Sequence, residues 1–145
     1  YWGQPEETAR VLRNGLYFTG DIGTTDDEGF LFVVGRTWDM IKVGGNRVSA
    51  KEIEEALYEH PAIAEAAVFG VPDDLLGEVP KACLVRKRDL TGEAAPASDE
   101  AIREFLSGRL AAYKIPKYLE FRDSLPKNEA GKIQKTKLRA EAGGN

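Results

Sequence analysis

The sequence predicts an α+β fold in which a small β-sheet is flanked by helices. Strand-like and helix-like segments are mixed without the strict β-α-β alternation that indicates a parallel sheet. Two segments start with a serine cap and continue with apolar residues at helical spacing. Several short apolar runs lie between glycine, proline and aspartate turn signals, as strands of a small sheet do.

The N-terminal part predicts a short helix followed by a β-meander. Pro5 suits the first turn of a helix, and the acidic residues after it favour the positive helix end. Asn14-Gly15 predicts a turn ahead of a short strand over residues 16–19. The segment Asp26–Gly29 is a hairpin signal that precedes a strand over residues 30–34.

The centre of the chain predicts a strand, a turn and a helix. Residues 40–43 are strand-like, and the turn Gly44-Gly45-Asn46 interrupts them. Ser49 and Glu52 have the spacing of a capping box, which predicts a helix that ends before Pro61.

The C-terminal half predicts three strands and two helices. Strand-like runs over residues 64–71 and 79–88 are joined by a loop with proline, aspartate and glycine turn signals. A polar loop over residues 89–98 ends in the serine that caps a second helix. A short strand over residues 118–121 and a small terminal helix over residues 136–142 complete the prediction.

The composition excludes several classes of protein. A chain of 145 residues with 42% hydrophobic and 30% charged residues is typical of a globular protein. Cys83 is the single cysteine, so no internal disulfide can form, and we expect a small buried hydrophobe rather than a reactive thiol. With His60 as the single histidine, we expect no metal site. No apolar run or signal peptide indicates a membrane segment, and we expect a cytoplasmic protein.

The net charge of −4 conceals a basic stretch over residues 109–139. Nine bases stand against three acids there, an excess of +6. Such asymmetry indicates either an anionic partner, such as a nucleotide or a coenzyme phosphate, or a solvated basic surface. Because few aromatic residues are interleaved and no nucleic-acid motif occurs, we expect no nucleic acid as partner.

One loop in this stretch carries Lys132 directly after Gly131. A lysine on a flexible, glycine-preceded loop can place its charge on a phosphate or carboxylate of a site that is built elsewhere. The alternative is a solvated surface turn, which many Gly-Lys pairs form.

Four segments of the chain form an ordered set that carries a family resemblance. They are Tyr1-Trp2 with Pro5–Thr8, Tyr17–Asp21, Gly35–Glu54 and Leu125–Ile133. This set resembles the C-terminal part of the AMP-forming acyl-CoA synthetases. Their superfamily also contains nonribosomal-peptide adenylation domains and beetle luciferases. In this resemblance residues 1–36 correspond to the tail of the N-terminal domain, and residues 37–145 to the mobile C-terminal domain.

The resemblance implies a two-step ligase reaction. A carboxylic acid attacks the α-phosphate of ATP to give an acyl-adenylate and pyrophosphate. The C-terminal domain then rotates, and the thiol of CoA displaces AMP. The phosphate loop, the Mg²⁺ ligands and the acyl pocket are implied to lie in the preceding domain, so we expect this chain alone to be inactive. Fatty acid metabolism is the implied setting, although these residues do not name the acid.

One residue of the second segment and one of the third resemble nucleotide-binding positions of the family. Asp21 resembles the aspartate that binds the ribose hydroxyls, since a carboxylate accepts hydrogen bonds from two vicinal hydroxyls. The alternative is a turn aspartate bonded to its own backbone. Arg36 resembles the arginine that contacts ribose or phosphate beside the hinge, and its alternative is a surface ion pair.

The hinge and the glycine turn are the next matched positions. The family commonly has Asp or Lys where this chain has Trp38, with Asp39 following, so either residue is a candidate for the pivot. Gly44 and Gly45 resemble the loop that lines the pantetheine tunnel, and Arg47 is a candidate contact for a CoA phosphate. A plain glycine turn between two strands explains the glycines equally well.

Lys132 resembles the adenylation lysine of the family and is the candidate catalytic residue. It would bridge the carboxylate and the α-phosphate and stabilise charge that develops during transfer. In similar enzymes this lysine is acetylated, which makes a lysine acetyltransferase a candidate partner. The acceptor also stays open, because an adenylation domain that loads a carrier protein is an alternative to a ligase that uses free CoA.

Overall fold

The computed structural model describes Gly3 and residues 5–36, 39–89 and 97–143. The chain divides into two compact units, Tyr1–Trp38 and Asp39–Asn145, and each is described by itself.

The first unit consists of one helix and two small antiparallel sheets. Its elements are α1 (Pro5–Val11), β1 (Leu12–Arg13), β2 (Leu16–Tyr17), β3 (Asp21–Thr25) and β4 (Leu31–Arg36). Strand β1 pairs with β2, and β3 pairs with β4. The predicted helix and both predicted turns are confirmed, and Asn14 adopts the left-handed φ of 52° that a tight hairpin turn requires. The strand predicted over residues 16–19 is shorter and ends at Tyr17.

The second unit is built on a mixed five-stranded sheet. Its strands are β5 (Met40–Val43), β6 (Asn46–Ser49), β7 (Ile63–Asp73), β8 (Gly77–Arg86) and β9 (Tyr118–Phe121). The order is β6-β5-β8-β7 with antiparallel pairing, and β9 adds to β8 in parallel. Strand β8 therefore pairs with three strands: β7 along its length, β5 at its first residue, and β9 further along.

Three helices accompany this sheet, and their starts follow the predicted caps. They are α2 (Ala50–Tyr58), α3 (Asp99–Ser107) and α4 (Lys135–Ala142), with a short 3-10 helix over Ala112–Lys114. The Ser49 hydroxyl accepts a hydrogen bond from the Glu52 amide at 3.4 Å, and Ser98 caps α3 through the Ala101 amide at 3.2 Å. The predicted α+β class, a small sheet with flanking helices, is therefore confirmed.

Some boundaries differ from the sequence prediction. Asn46 belongs to β6 rather than to the turn, because a two-residue turn of Gly44 and Gly45 is enough to reverse the chain. The long hairpin of β7 and β8 extends through Pro72, which pairs with Glu78, so that only residues 74–76 connect the strands. Most of the polar loop predicted over residues 89–98 lies outside the described residues.

The sheet separates two apolar clusters because successive side chains of a strand point to opposite faces. Ala66 and Val68 belong to the cluster that packs with α2 and α3. Ala67 and Phe69 belong to the other cluster, which includes Leu138 of α4. Cys83 is fully buried in this second cluster, which confirms the predicted buried hydrophobe.

The free edge of β7 is closed by side chains from α2. The Glu54 carboxylate accepts a hydrogen bond from the Val68 amide at 2.7 Å. The Tyr58 hydroxyl lies 3.3 Å from both the amide nitrogen and the carbonyl oxygen of Ala66. These contacts satisfy backbone groups that a neighbouring strand would otherwise pair.

Candidate functional site

The glycine turn connects β5 and β6 and is held in place by the β7–β8 hairpin. Gly44 and Gly45 have φ values of 54° and 87°, which favour glycine. The Gly44 amide donates to the Leu76 carbonyl at 2.9 Å, and the Lys42 amide donates to Glu78 Oε2 at 3.0 Å. The turn is thus fixed to the hairpin. A Cβ at Gly45 would meet open space, whereas a Cβ at Gly44 would lie 3.1 Å from Leu76 Cδ2.

Two cations face each other beside this turn. In the β5–β6 register, Lys42 lies directly opposite Arg47, and both residues are exposed. Neither side chain has an ion-pair partner within the described part of the chain. Like charges directly opposite each other destabilise a strand pair, so Lys42 and Arg47 together are a candidate site for an anion. Sequence reasoning missed Lys42 as a candidate, although a two-residue turn fixes residues 42 and 47 as partners.

Asp73 organises the tip of the β7–β8 hairpin. Its Oδ1 accepts hydrogen bonds from the amides of Leu75 and Leu76, both at 3.0 Å, and its Oδ2 pairs with the Lys117 ammonium. The hydrogen bond from Lys117, followed by those from the two amides, lowers the pKa of Asp73 below its ordinary value. Residues 74–76, which connect β7 to β8 and support the glycine turn, are therefore held by the charged carboxylate of Asp73.

An apolar groove lies beside the same turn. It has a volume of about 330 Å³ and is lined partly by Val43, Leu76 and Tyr113, with Lys117 adding a charge. Leu76 and Tyr113 are each 44% exposed. The groove could accommodate a narrow, largely apolar chain alongside the glycine backbone.

The loop that carries Lys132 is a hydrogen-bonded hairpin rather than the flexible loop that the sequence suggests. Lys127 and Ile133 form an antiparallel bridge, and the Gln134 amide donates to the Pro126 carbonyl at 2.8 Å. The Asn128 amide donates to the Lys132 carbonyl at 2.9 Å, and Asn128 Oδ1 accepts from the Lys132 amide at 2.9 Å. The Asn128 side chain supplies a local closure of the kind that asparagine offers in turns.

Lys132 itself is exposed, and its ammonium has no partner among the residues that the structure describes. Most other bases of the basic stretch pair with carboxylates inside the protein. These are Arg109 with Glu59, Lys114 with Glu52, Lys117 with Asp73, Arg122 with Glu120 and Glu141, Lys127 with Glu65, and Lys135 with Glu54 and Asp39. Internal ion pairs thus consume most of the local positive charge, which argues against a broad anion-binding surface.

The remaining predicted residues lie in the first unit and at the start of the second. Asp21 and Arg36 are direct partners in the β3–β4 register, so the structure brings these two positions together. The Asp21 amide donates to Thr19 Oγ1 at 3.1 Å, while the Arg36 side chain is outside the description. Asp39 lies 3.4 Å from Lys135 Nζ, and Trp38 is outside the described residues.

The glycine turn and the Lys132 loop are attached to opposite ends of one strand pair. The glycine turn lies at the end of the β7–β8 pair that is formed by Asp73 and Gly77. Val43, which precedes the glycine turn, pairs with Gly77. The Lys132 loop is attached at the other end of β7 through the ion pair of Lys127 with Glu65. Asp73 follows Glu65 by eight positions along β7, so these two attachment points lie about 26 Å apart at the usual strand rise.

The described residues contain neither a metal-binding cluster nor a membrane-spanning helix. Within the ranges that the structure describes, no cluster of three His, Cys, Asp or Glu side chains could hold a metal ion. Among the described helices, none is long and apolar enough to cross a membrane.

Comparison with known proteins identifies the fold. The family model of the AMP-binding enzyme C-terminal domain matches residues 52–132, which is more than half of the chain. The chain belongs to this family. The match begins in α2 and ends on Lys132, so it includes the whole β7–β8 hairpin that holds the glycine turn.

Individual relatives support the membership of this domain in the adenylate-forming superfamily. A long-chain-fatty-acid–CoA ligase of Bacillus subtilis is 49% identical over 97% of this chain and 24% of its own length. The structure of ATP-bound MatB from Rhodopseudomonas palustris has a TM-score of 0.83 and 36% identity over 99% of this chain and 28% of that one. The o-succinylbenzoate CoA synthetase of Bacillus subtilis, solved with an acyl-adenylate, has a TM-score of 0.83 and 37% identity over 96% of this chain and 27% of that one. The chain thus spans about a quarter of the length of these relatives, and corresponds to a C-terminal part of AMP-forming ligases.

Proposed function

We propose that this chain is the C-terminal part of an AMP-forming acyl-CoA ligase. In this proposal residues 37–145 form a mobile domain, and residues 1–36 are the tail of the domain that precedes it. Nearly the whole chain matches only about a quarter of the length of longer ligases, which supports the proposal. The exposed apolar surface of the first unit supports it as well. Phe30, Leu31 and Phe32 are 62%, 69% and 52% exposed there, as expected for a segment that a larger domain covers.

The observation that carries the proposal is the separation of the two candidate elements along β7. The Lys132 loop is attached to β7 eight positions from Asp73 through Lys127 and five positions from it through Lys135, which corresponds to about 26 Å and about 16 Å at the usual strand rise. A lysine loop and a glycine turn that far apart are not placed to serve one small reaction centre in a single orientation of the domain. Rotation about a hinge at Trp38 and Asp39 would bring each element to the reaction centre in turn. This arrangement suits a reaction with two half-reactions.

In the first half-reaction Lys132 acts on the carboxylic acid and ATP. Its exposed, unpaired ammonium would stabilise the negative charge that develops between the carboxylate and the α-phosphate. Asp21 and Arg36 would bind the ribose and a phosphate of the nucleotide, and their pairing across β3 and β4 supports a joint role. Magnesium ions would be held by the preceding domain and would neutralise charge on the phosphates when bound.

In the second half-reaction the glycine turn meets the acceptor. Gly44 and Gly45 would allow a pantetheine chain to run along the backbone, and Lys42 and Arg47 would bind a phosphate. The facing pair of unpaired cations favours free CoA over a carrier protein as the acceptor. The acid stays open, because the names of relatives that are 49% and 37% identical to this chain include long-chain fatty acids and o-succinylbenzoate. We place the reaction in the cytoplasm, where ATP and CoA are supplied.

The test is the Lys132→Ala variant of a full-length ligase that ends in this chain. We expect ATP–pyrophosphate exchange to fall by about 100-fold or more, which corresponds to the loss of a transition-state charge contact. Thioester formation from supplied acyl-adenylate should stay within about twofold of the wild type. Equal loss of both half-reactions would show that the loop does something else.

We also propose that a lysine acetyltransferase modifies Lys132. The exposed, unpaired ammonium supports this, since acetylation would remove the charge that the first half-reaction needs. Mass spectrometry should find acetylation at Lys132 and much less at Lys127 and Lys135, whose ammonium groups are engaged in ion pairs. Failure to find modified Lys132 under any growth or acetyl-donor condition would count against the proposal.

A further inference from the structure

Three lysines of one loop have different environments. Lys127 and Lys135 stand at the two ends of the hairpin that presents Lys132, and both are engaged in ion pairs. Lys132 lies between them and is unpaired in the described part of the chain. The two flanking lysines therefore contribute little free charge to a ligand. Their ion pairs connect the hairpin to the rest of the domain.

The Lys135 contact joins elements from both faces of the sheet. Lys135 Nζ lies 2.8 Å from Glu54 Oε1, and the side chains are only 20% and 15% exposed. The same oxygen accepts the Val68 amide at 2.7 Å, so Glu54 is fixed to the edge of β7. Because solvent screens such a pair less than it screens an exposed one, the first residue of α4 is held against the sheet edge.

The Lys127 contact holds the opposite end of the hairpin. Lys127 Nζ lies 2.6 Å from Glu65 Oε1 on β7. The second oxygen, Glu65 Oε2, is buried and has no hydrogen-bond partner, so the ammonium of Lys127 is the main compensation for this carboxylate. The Glu65 side chain is 29% exposed, so loss of Lys127 would leave a half-buried carboxylate without its ammonium partner, which favours a displaced loop.

We propose that Lys127 and Lys135 are positioning residues that clamp the two ends of the loop presenting Lys132. The hairpin hydrogen bonds fix the shape of the loop, and the two ion pairs fix its place on the domain. The inference rests on the proposed function, since it assigns a task to residues through Lys132. A displacement of about 1 Å at a reacting group can lower a rate by about 100-fold, so such clamps matter for catalysis as well as for folding.

The experiment uses Lys135→Met and Lys127→Met in a full-length ligase that ends in this chain. We expect the kcat of adenylation to fall about 10- to 100-fold while the KM for ATP stays nearly constant, as when an interaction made in the transition state is weakened. Thioester formation from supplied acyl-adenylate should remain within about twofold of the wild type in Lys127→Met, whereas Lys135→Met also removes the contact of Lys135 Nζ with the hinge residue Asp39 at 3.4 Å. Lys135→Arg should restore most of the adenylation rate. Lys51→Met is the matched control, since it removes the charge of an exposed pair on α2 that is 59% and 67% exposed.

The outcomes separate this inference from the proposed function. If the wild type adenylates and Lys132→Ala does not, but both methionine variants adenylate normally, the clamp is wrong and the proposed function stands. A parallel fall of both half-reactions in both methionine variants would also overturn the clamp, since it would indicate general damage. If wild type and Lys132→Ala exchange pyrophosphate equally, the proposed function fails and the clamp fails with it.

Discussion

Lys42 and Arg47 occupy facing positions where two like charges repel each other, and each remains exposed. No carboxylate of the described residues neutralises either of them. Such a pair costs stability in the free protein, and a bound anion would offset this cost. At the scale of single residues, this pair supports our proposal that free CoA is the acceptor.

We predict that Arg47→Ala in the full-length ligase raises the KM for CoA about tenfold, because one charge-assisted contact to a phosphate is lost. Adenylation should be unchanged. With pantetheine, which has no phosphate, wild type and variant should react alike. The KM values for both acceptors provide the measurement, with Lys51→Ala as the control. An equal effect on CoA and pantetheine would contradict phosphate binding by Arg47.

Burial predicts which residues hold the second unit together. Leu57 of α2 is fully buried in the cluster with Ile53 and Ala66. Leu57→Ala should lower the free energy of unfolding by about 2–5 kcal/mol, as truncation of a buried leucine usually does. Leu75→Ala is the control, because Leu75 is 93% exposed. Urea denaturation followed by far-UV circular dichroism compares the two, and similar stabilities would contradict the described packing.

At the scale of elements, the tip of the β7–β8 hairpin is sensitive to acid. The Lys117 ammonium and two backbone amides hold the pKa of Asp73 below its ordinary value. Since the pKa is lower in the folded state, the carboxylate stabilises the fold above about pH 4, and this contribution disappears as the pH falls through the folded-state pKa. This pH-dependent stabilisation acts on the hairpin tip, because Asp73 accepts a hydrogen bond from the amide of Leu76. The carbonyl of Leu76 in turn accepts a hydrogen bond from Gly44.

We predict that Asp73→Asn lowers the Tm near neutral pH and that the difference from the wild type shrinks as the pH falls. Asparagine lacks the charge at every pH, whereas Asp73 loses its charge only in acid. Thermal unfolding of both chains between about pH 7 and pH 3 tests this through the difference in Tm. A difference that stays constant or grows in acid would show that Asp73 does not act as a charged cap.

The sequence predicted elements whose signals are local. Ser49 and Ser98 marked the starts of α2 and α3, and Asn14-Gly15 marked a tight turn. The parallel pairing of β9 with β8 was not predictable, because it joins residues about 35 positions apart through contacts that no short motif specifies. The attachment of the Lys132 loop to the domain was missed for the same reason, since Glu54 and Glu65 are distant in sequence. Its closure by Asn128 is a local signal that the sequence does offer.

At the scale of the whole molecule, the family membership and the candidate residues came from ordered motifs, whereas the spatial relation of those residues did not. Lys132 and Gly44 could be named from the sequence, but their attachment to opposite ends of β7 depends on the register of β7, β8 and β5. This separation is what turns a set of motifs into a proposal about two half-reactions.

We predict that the isolated 145-residue chain catalyses no ATP–pyrophosphate exchange. A catalytic lysine accelerates the reaction only if the acid, ATP and the metal are held beside it, and we assign those sites to the preceding domain. The exchange assay with the isolated chain, run beside the full-length ligase and a panel of carboxylic acids, provides the test. Measurable exchange by the chain alone would contradict the two-domain account.

We propose that one domain serves the two half-reactions with two separate elements. To test this, the rates of both half-reactions are measured in the full-length ligase for two variants. One variant is Lys132→Ala, and the other is the double variant Lys42→Ala with Arg47→Ala. We expect Lys132→Ala to lose adenylation and keep thioester formation from supplied acyl-adenylate. The double variant should keep adenylation and form the thioester more slowly at CoA concentrations below the KM of the wild type. If both variants impair the same half-reaction, or impair both equally, the two elements act at one centre in one orientation and the account is wrong.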